Sequence, residues 1–152
     1  MKGVLRALAS AIGVTVLMAG CASGVKYSEM ASSIPTLKQD QGRVYFFRSS
    51  SLIGAALQPD IKLNSEVVGQ SKPGGFFFVD RPAGKYVVST ATETEKTLTF
   101  ALDAGETKYV RTSPSLGLIV GRVVPELETL EKAQAELPSL SFAPNEPPVA
   151  KK

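Results

Sequence analysis

The sequence predicts an all-β fold: an antiparallel β-sandwich of about seven or eight strands with a short C-terminal helix. Three observations lead there. From residue 43 onward, short runs rich in aromatic and β-branched residues recur, a composition that suits a pleated, half-buried surface. Gly, Pro, Asn and Asp turn residues separate them, at intervals of about 8–12 residues. One run, KTLTFAL at 96–102, alternates cleanly, with Leu98, Phe100 and Leu102 on one face and Thr97 and Thr99 on the other.

Residues 1–20 read as an export signal. Lys2 and Arg6 give a positive start, 7–19 is an almost unbroken apolar run, and Ala19-Gly20 supplies small residues at a cleavage point. The run falls short of the about 20 apolar residues that span a bilayer. The most apolar later segment, 116–124, is interrupted by Gly117, Gly121 and Arg122. The sole cysteine, Cys21, closes the leader. The stretch LMAGC at 17–21 resembles the lipobox of bacterial lipoproteins. That resemblance implies cleavage before Cys21, two acyl chains on its sulfur and a third on its new amino group. Met18 stands where the pattern usually has Leu, with Leu17 one step earlier. The competing reading is an ordinary secretory signal with a buried leftover cysteine. Lipidation caps a thiol that is otherwise reactive in an oxidising compartment. At roughly 0.8 kcal/mol per buried methylene, two or three chains anchor a protein almost irreversibly. By resemblance to lipoproteins of Gram-negative bacteria, the lack of Asp at Ala22 implies the outer membrane, with the domain facing the periplasm.

Residues 21–42 comprise the lipidated cysteine and a tether. The tether, ASGVKYSEMASSIPTLKQDQG, is rich in Ser, Gly, Gln and charge. It is expected to be mostly extended, with a few docked contacts from Tyr27, Met30, Ile34 and Leu37, or to form a helical turn near 29–33. As a coil of about 20 residues it has an r.m.s. reach of roughly 25 Å. The sandwich is assigned to 43–130. RVYFFR at 43–48 carries apolar residues on both faces, as a central strand does. Strands at 59–63 and 66–70 flank Asn64-Ser65, a hairpin turn. Strands at 75–80 and 84–91 flank Arg81-Pro82-Ala83-Gly84, whose Pro and Gly suit a type I turn and a second hairpin. After 96–102, Asp103-Ala104-Gly105-Glu106 turns the chain into TKYVRT at 107–112. LGLIVGRVV at 116–124 reads as a further strand, its glycines marking a bulge or a close backbone approach. ELETLEKAQAEL at 126–137 passes from a strand end into a short amphipathic helix, 131–138, stopped at Pro138. The remaining 139–152 is Pro-rich and polar, and is expected to be disordered.

Composition excludes more chemistry than it suggests. A chain of 152 residues makes about one domain. Its net charge of +3 falls to +1 once Lys2 and Arg6 leave with the leader, so nucleic acid is excluded as a partner. The chain has no histidine, hence no Ser-His-Asp triad, Cys-His dyad or histidine metal site. No cofactor, metal or catalytic residue is assigned. SKPGGF and RPAGKY lack the lysine and hydroxyl of a phosphate loop and read as turns. The rival reading is a carboxylate-based hydrolase of envelope polymers built on Glu93, Glu95 and Asp80, which needs two carboxylates facing across a cleft. A recognition surface is the other option: Arg48, Tyr86, Tyr109, Arg111 and Arg122, with Arg43 and Tyr45, are residue types typical of binding hot spots. Alternatively the tyrosines complete the core and the arginines solvate strand ends.

RVYFFR, IKLNSEVVGQ, GGFFFVDRPAGKYVVS, TLTFALDAGETKYVR and LGLIVGRV, in this order over about 42–130, resemble an uncharacterised family of bacterial lipoproteins known only as a domain of unknown function. Its most specific elements are the aromatic-arginine first strand, the Pro-x-Gly-x-Tyr turn and the Tyr-Val-Arg strand. They include Arg48, Pro82, Gly84, Tyr86, Tyr109, Arg111, Gly121 and Arg122 here. The Pro-Ala-Gly-Lys-Tyr turn also resembles those of transthyretin-like and carboxypeptidase-regulatory-like sandwich modules. The resemblance implies a lipobox and a sandwich, and no activity or ligand. The expectation is a lipid-anchored binding or envelope-support module without catalytic machinery. Its partners are the membrane, through the anchor, and an envelope protein or peptidoglycan, with an exposed sheet edge able to recruit an extended peptide. A purely structural lipoprotein is a third reading.

Overall fold

The computed structural model of the chain describes residues 21–144, so the export signal at 1–20 and the tail from 145 lie outside the described residues. Nine strands follow in chain order: β1 (Gln41–Phe47), β2 (Asp60–Leu63), β3 (Glu66–Gln70), β4 (Gly75–Pro82), β5 (Gly84–Ala91), β6 (Glu95–Leu102), β7 (Thr107–Ser115), β8 (Arg122–Glu128) and β9 (Ser141–Phe142). Two helices, α1 (Tyr27–Met30) and α2 (Leu130–Glu136), flank them. One sheet has the order β8-β7-β1-β4-β9 and the other β3-β2-β5-β6. The fold is the expected all-β sandwich.

Period-two alternation in β1 builds the core on both sides. Val44 and Phe46 point between the sheets and meet Ile61, Leu63, Phe77, Val88 and Val110. Tyr45 and Phe47 point the other way, onto Phe76, Leu137 and Leu140. Phe46 stacks on Phe77 with ring centroids 5.1 Å apart. The Asn64-Ser65 turn has positive φ at both residues, 48° and 71°, as a type I′ hairpin turn requires. Asn64 is suited to it because its side-chain carbonyl accepts the Val87 N–H at 2.8 Å.

Four expectations need correction. The five-stranded sheet is mixed: β7 runs parallel to β1, and β9 parallel to β4. A parallel neighbour needs a long crossover, which the excursion through the second sheet provides. The chain from 75 to 91 is accordingly no hairpin, for β4 pairs with β1 while β5 pairs with β2 and β6. Its Pro-Ala-Gly turn is a corner between sheets, closed by the Tyr86 hydroxyl donating to the Pro82 carbonyl at 2.7 Å. Within 116–124, the strand begins only at Arg122. Residues 22–42, by contrast, show the expected docked contacts and helical turn: α1 and the 3₁₀ turn Ala31–Ser33 lie on the outer face of the five-stranded sheet, where Tyr27, Met30 and Ile34 join the Tyr45–Phe47 cluster. The segment expected to be disordered opens with ordered residues, since Leu140 is 1% exposed and β9 pairs with β4. A Pro-rich average hid two apolar residues that the sheet edge accepts.

The helix expected at 131–138 starts one residue earlier, at Leu130, and ends at Glu136, where a 3₁₀ turn takes over. Thr129 caps it by accepting the Lys132 N–H, and Pro138 sits in the 3₁₀ turn that follows. Together α1, α2 and residues 137–142 cover the outer face of the sheet. We expect Leu140→Ala to lower unfolding free energy by about 2–5 kcal/mol, the range for a buried Leu. Chemical denaturation checks it, and an unchanged midpoint would mean that this layer is not part of the fold.

Candidate functional site

The parallel pair β1 and β7 ends at one end of the sandwich, and the antiparallel β4 starts there. Segments 48–59, 71–74, 92–94 and 116–121 therefore gather at that end. Arg48, the residue after β1, turns inward and is 1% exposed. Its guanidinium donates to the main-chain carbonyls of Gly54 at 2.7 Å, Ser71 at 3.1 Å and Leu57. Burial pushes its pKa down, and the carbonyl dipoles supply what a carboxylate would elsewhere. The result is a fixed loop over 49–59. Ser71 extends the network to the Thr112 hydroxyl at 2.8 Å.

The facing loop, 116–121, is wrapped around a carboxylate. Glu93 accepts the N–H groups of Leu118 and Ile119 at 2.9 Å and of Val120 at 3.2 Å, and the Arg122 Nε at 3.1 Å. Main-chain donors from Ile119 and Val120, above all, hold the Glu93 carboxyl down at about 2. Thr92 adds a hydroxyl bond to the Gly121 carbonyl at 2.8 Å. Gly117 is required by close approach, for a Cβ there would meet the Glu93 carboxylate and lie 2.6 Å from the Gly121 Cα. The two loops then meet at Gly54 against Pro114 and at Gly121 against Leu57.

What this scaffold presents is apolar. Leu52, Ile53, Leu116, Leu118 and Ile119 are each at least 78% exposed. Between them lies a groove of about 350 Å³ lined by Ile53, Leu57, Leu116, Ile119 and Val120. A cluster of this kind on a folded surface marks an interaction site. Cys21 is exposed and belongs to the same end: the Ala22 N–H donates to the Pro73 carbonyl at 3.1 Å, and the Gly74 N–H to the Ser49 carbonyl at 3.3 Å.

The residues proposed from sequence as a recognition surface do not converge on one. Arg48 and Arg122 are fasteners of the two loops. Arg111 fastens α2, with Glu136 at 2.6 Å, Glu128 at 3.1 Å and the Phe47 ring at 5.3 Å. Arg43 binds Asp80 at 2.6 Å and the Pro35 carbonyl at 2.8 Å, tying the N-terminal segment down at the opposite end. Tyr109 stacks on Tyr45, and burial raises the pKa of both phenols. Tyr86 stays at the Pro82 corner, far from the loops. The carboxylates are equally dispersed: Asp80 is held by Arg43, Glu93 by the loop, and Glu95 lies beside Asp60 and Lys62 on the four-stranded sheet. A glycosidase-type acid needs a raised pKa, whereas that of Glu93 is lowered. Among the described residues, no helix is long and apolar enough to cross a membrane, and no group of three His, Cys, Asp or Glu side chains is placed to hold a metal.

Two stretches carry the loops in the sequence: SLIGAAL at 51–57, whose lack of charge is its one signal, and LGLIV at 116–120, whose apolar run reads as a strand. The Glu93 interaction sets a pH dependence. Its folded pKa of about 2 lies below the ordinary 4.5. Its stabilisation is therefore fully present above about 4.5 and is lost as pH falls towards 2. We expect the amide resonances of Leu118, Ile119 and Val120 to move together with a midpoint at about pH 2, and Glu93→Gln to abolish the transition.

The profile of the family described as "Protein of unknown function (DUF2846)" matches residues 38–123. An "Uncharacterized protein" from Haemophilus influenzae is 28% identical over 144 residues, covering 91% of this chain and 85% of the relative. No solved structure matches the chain. The profile takes in β1 to β7, Arg48, Glu93, both apolar loops and the start of β8, more than half of the sequence, and the chain belongs to this family of unknown function.

Proposed function

We propose that the chain is a lipoprotein whose sandwich is a non-enzymatic binding or envelope-support module at the periplasmic face of the outer membrane. The observation that carries this reading is Cys21: the sole cysteine follows an apolar leader and a lipobox-like stretch, and it is exposed at one end of the domain. Acyl chains on that residue confine the domain to the bilayer and raise its effective concentration for any partner at the surface.

The docking of 22–42 changes the mechanics of such an anchor. A coil would let the domain range over roughly 25 Å. With Ala22 bonded to Pro73 and Tyr27 packed on Phe76, the acyl chains hold the sandwich itself against the lipid. The arginines being engaged within the fold, an envelope protein or peptidoglycan meets the uncovered outer face of the four-stranded sheet. Lys62, Lys85, Val87, Thr97 and Thr99 stand exposed on that face.

The test is mass spectrometry of the protein from membranes. The wild type is expected to begin at Cys21 and carry acyl mass, and Cys21→Ser to remain at precursor mass without acylation. A wild type that begins elsewhere, or carries no lipid, overturns the reading.

A further inference from the structure

Nothing in the anchor reading accounts for the two apolar loops. They lie at the end of the sandwich that holds Cys21, where the described chain begins. Neither 49–58 nor 113–121 contains a charged residue. Leu52, Ile53, Leu116, Leu118 and Ile119 point outward, and the charged neighbours Arg48 and Arg122 turn back into the fold.

Part of the backbone of these loops is already paired within the protein. In hydrocarbon each N–H and C=O needs a partner within the protein. The three consecutive N–H groups of 118–120 all end on Glu93. In the other loop, Ile53 N–H donates to Ser51 Oγ, Ala55 N–H to the Leu52 carbonyl and Leu57 N–H to the Gly54 carbonyl. The Gly54 and Leu57 carbonyls accept from Arg48 as well. A solvent-exposed loop has water for these bonds; here protein groups make them.

We propose that loops 51–57 and 116–121 insert into the bilayer beside Cys21, so that the protein is a monotopic membrane protein held in one orientation. The position of the membrane rests on the anchor reading. The bilayer is favoured over a second copy because the patch lies at the same end of the sandwich as the residue that carries the acyl chains and because both loops are uncharged.

The experiment uses acylated protein in vesicles of phosphatidylethanolamine and phosphatidylglycerol. With the Cys21 sulfur acylated, Leu118→Cys introduces the thiol for an environment-sensitive fluorophore, and Ala104→Cys, in the turn at the opposite end, is the reference. We expect brominated lipids to quench the Leu118 label and leave the Ala104 label bright. A Leu118 label reached only by an aqueous quencher, in protein shown to be acylated, overturns the insertion while the anchor stands. Protection that appears without vesicles and grows with protein concentration assigns the patch to a second copy, and also overturns it. A second measurement does not depend on acylation: Cys21→Ser exported behind an ordinary secretory leader is floated with the same vesicles. We expect Leu52→Asp and Leu118→Asp each to reduce its vesicle binding by roughly tenfold, with an unchanged melting temperature. Equal binding of these variants and their parent overturns the proposal even if Cys21 proves unmodified.

Discussion

Strand β1 is buried on both faces, and the rest of the structure follows from that. A strand that alternates Val44 and Phe46 with Tyr45 and Phe47 has no face to give to water. One face is covered by the second sheet. Covering the other takes the N-terminal helix and, from the far end of the chain, α2 with the residues around Leu140. Each aromatic side chain left exposed there would forgo about 1.5–3 kcal/mol of burial. The N-terminal segment is therefore recruited as core. An anchor at Cys21 then joins a packed element, and its motion is the motion of the domain.

The arginines complete this arrangement from inside. Arg43 and Arg48 bracket β1, and each fastens a segment that the strand alone cannot hold: Arg43 the approach at Pro35, Arg48 the loop at Gly54 and Leu57. Arg111 does the same for α2 through Glu128 and Glu136. A planar guanidinium with several fixed donors serves this purpose better than an ammonium. Arg48 is the extreme case, because it is buried among carbonyls. Removing it would strand those acceptors away from water, where an unmade hydrogen bond costs about 1–3 kcal/mol.

Local pattern was legible in the sequence, and long-range pairing was not. The alternation at 96–102, the Asn64-Ser65 turn and the two-faced β1 all survive in the structure, since each is set by side chains within a few residues. The corner at Pro82 misled because a turn sequence fixes the direction of the chain and leaves open which sheet receives it. LGLIV misled because an apolar run between glycines has the composition of a strand. Its main-chain donors go to Glu93, some 25 residues earlier, and no periodicity records that. For the site, the proposed lipidation of Cys21 rests on local sequence alone. The arginines were recognised as important by type, but their role inverted, since only the fold shows that they face inward.

An anchor and a pair of inserted loops do different physical work. Acyl chains fix a point on the membrane, and about that point a domain rotates freely unless something else resists. Two apolar loops set beside the anchor resist tilting, because any tilt returns Leu52 or Leu118 to water. With the loops inserted as proposed, the strands of the sandwich would run along the membrane normal. At about 3.3 Å per residue, an eight-residue strand such as β4 spans roughly 26 Å. In the proposed orientation the Pro82 corner and the Asp103–Glu106 turn would sit at that height above the bilayer, with the open face of the four-stranded sheet standing alongside. A partner embedded in the membrane would then meet the flank of the sandwich, and one arriving from the periplasm the far turns. Fixed orientation thus divides the surface into addresses, which a domain on a free tether would not have.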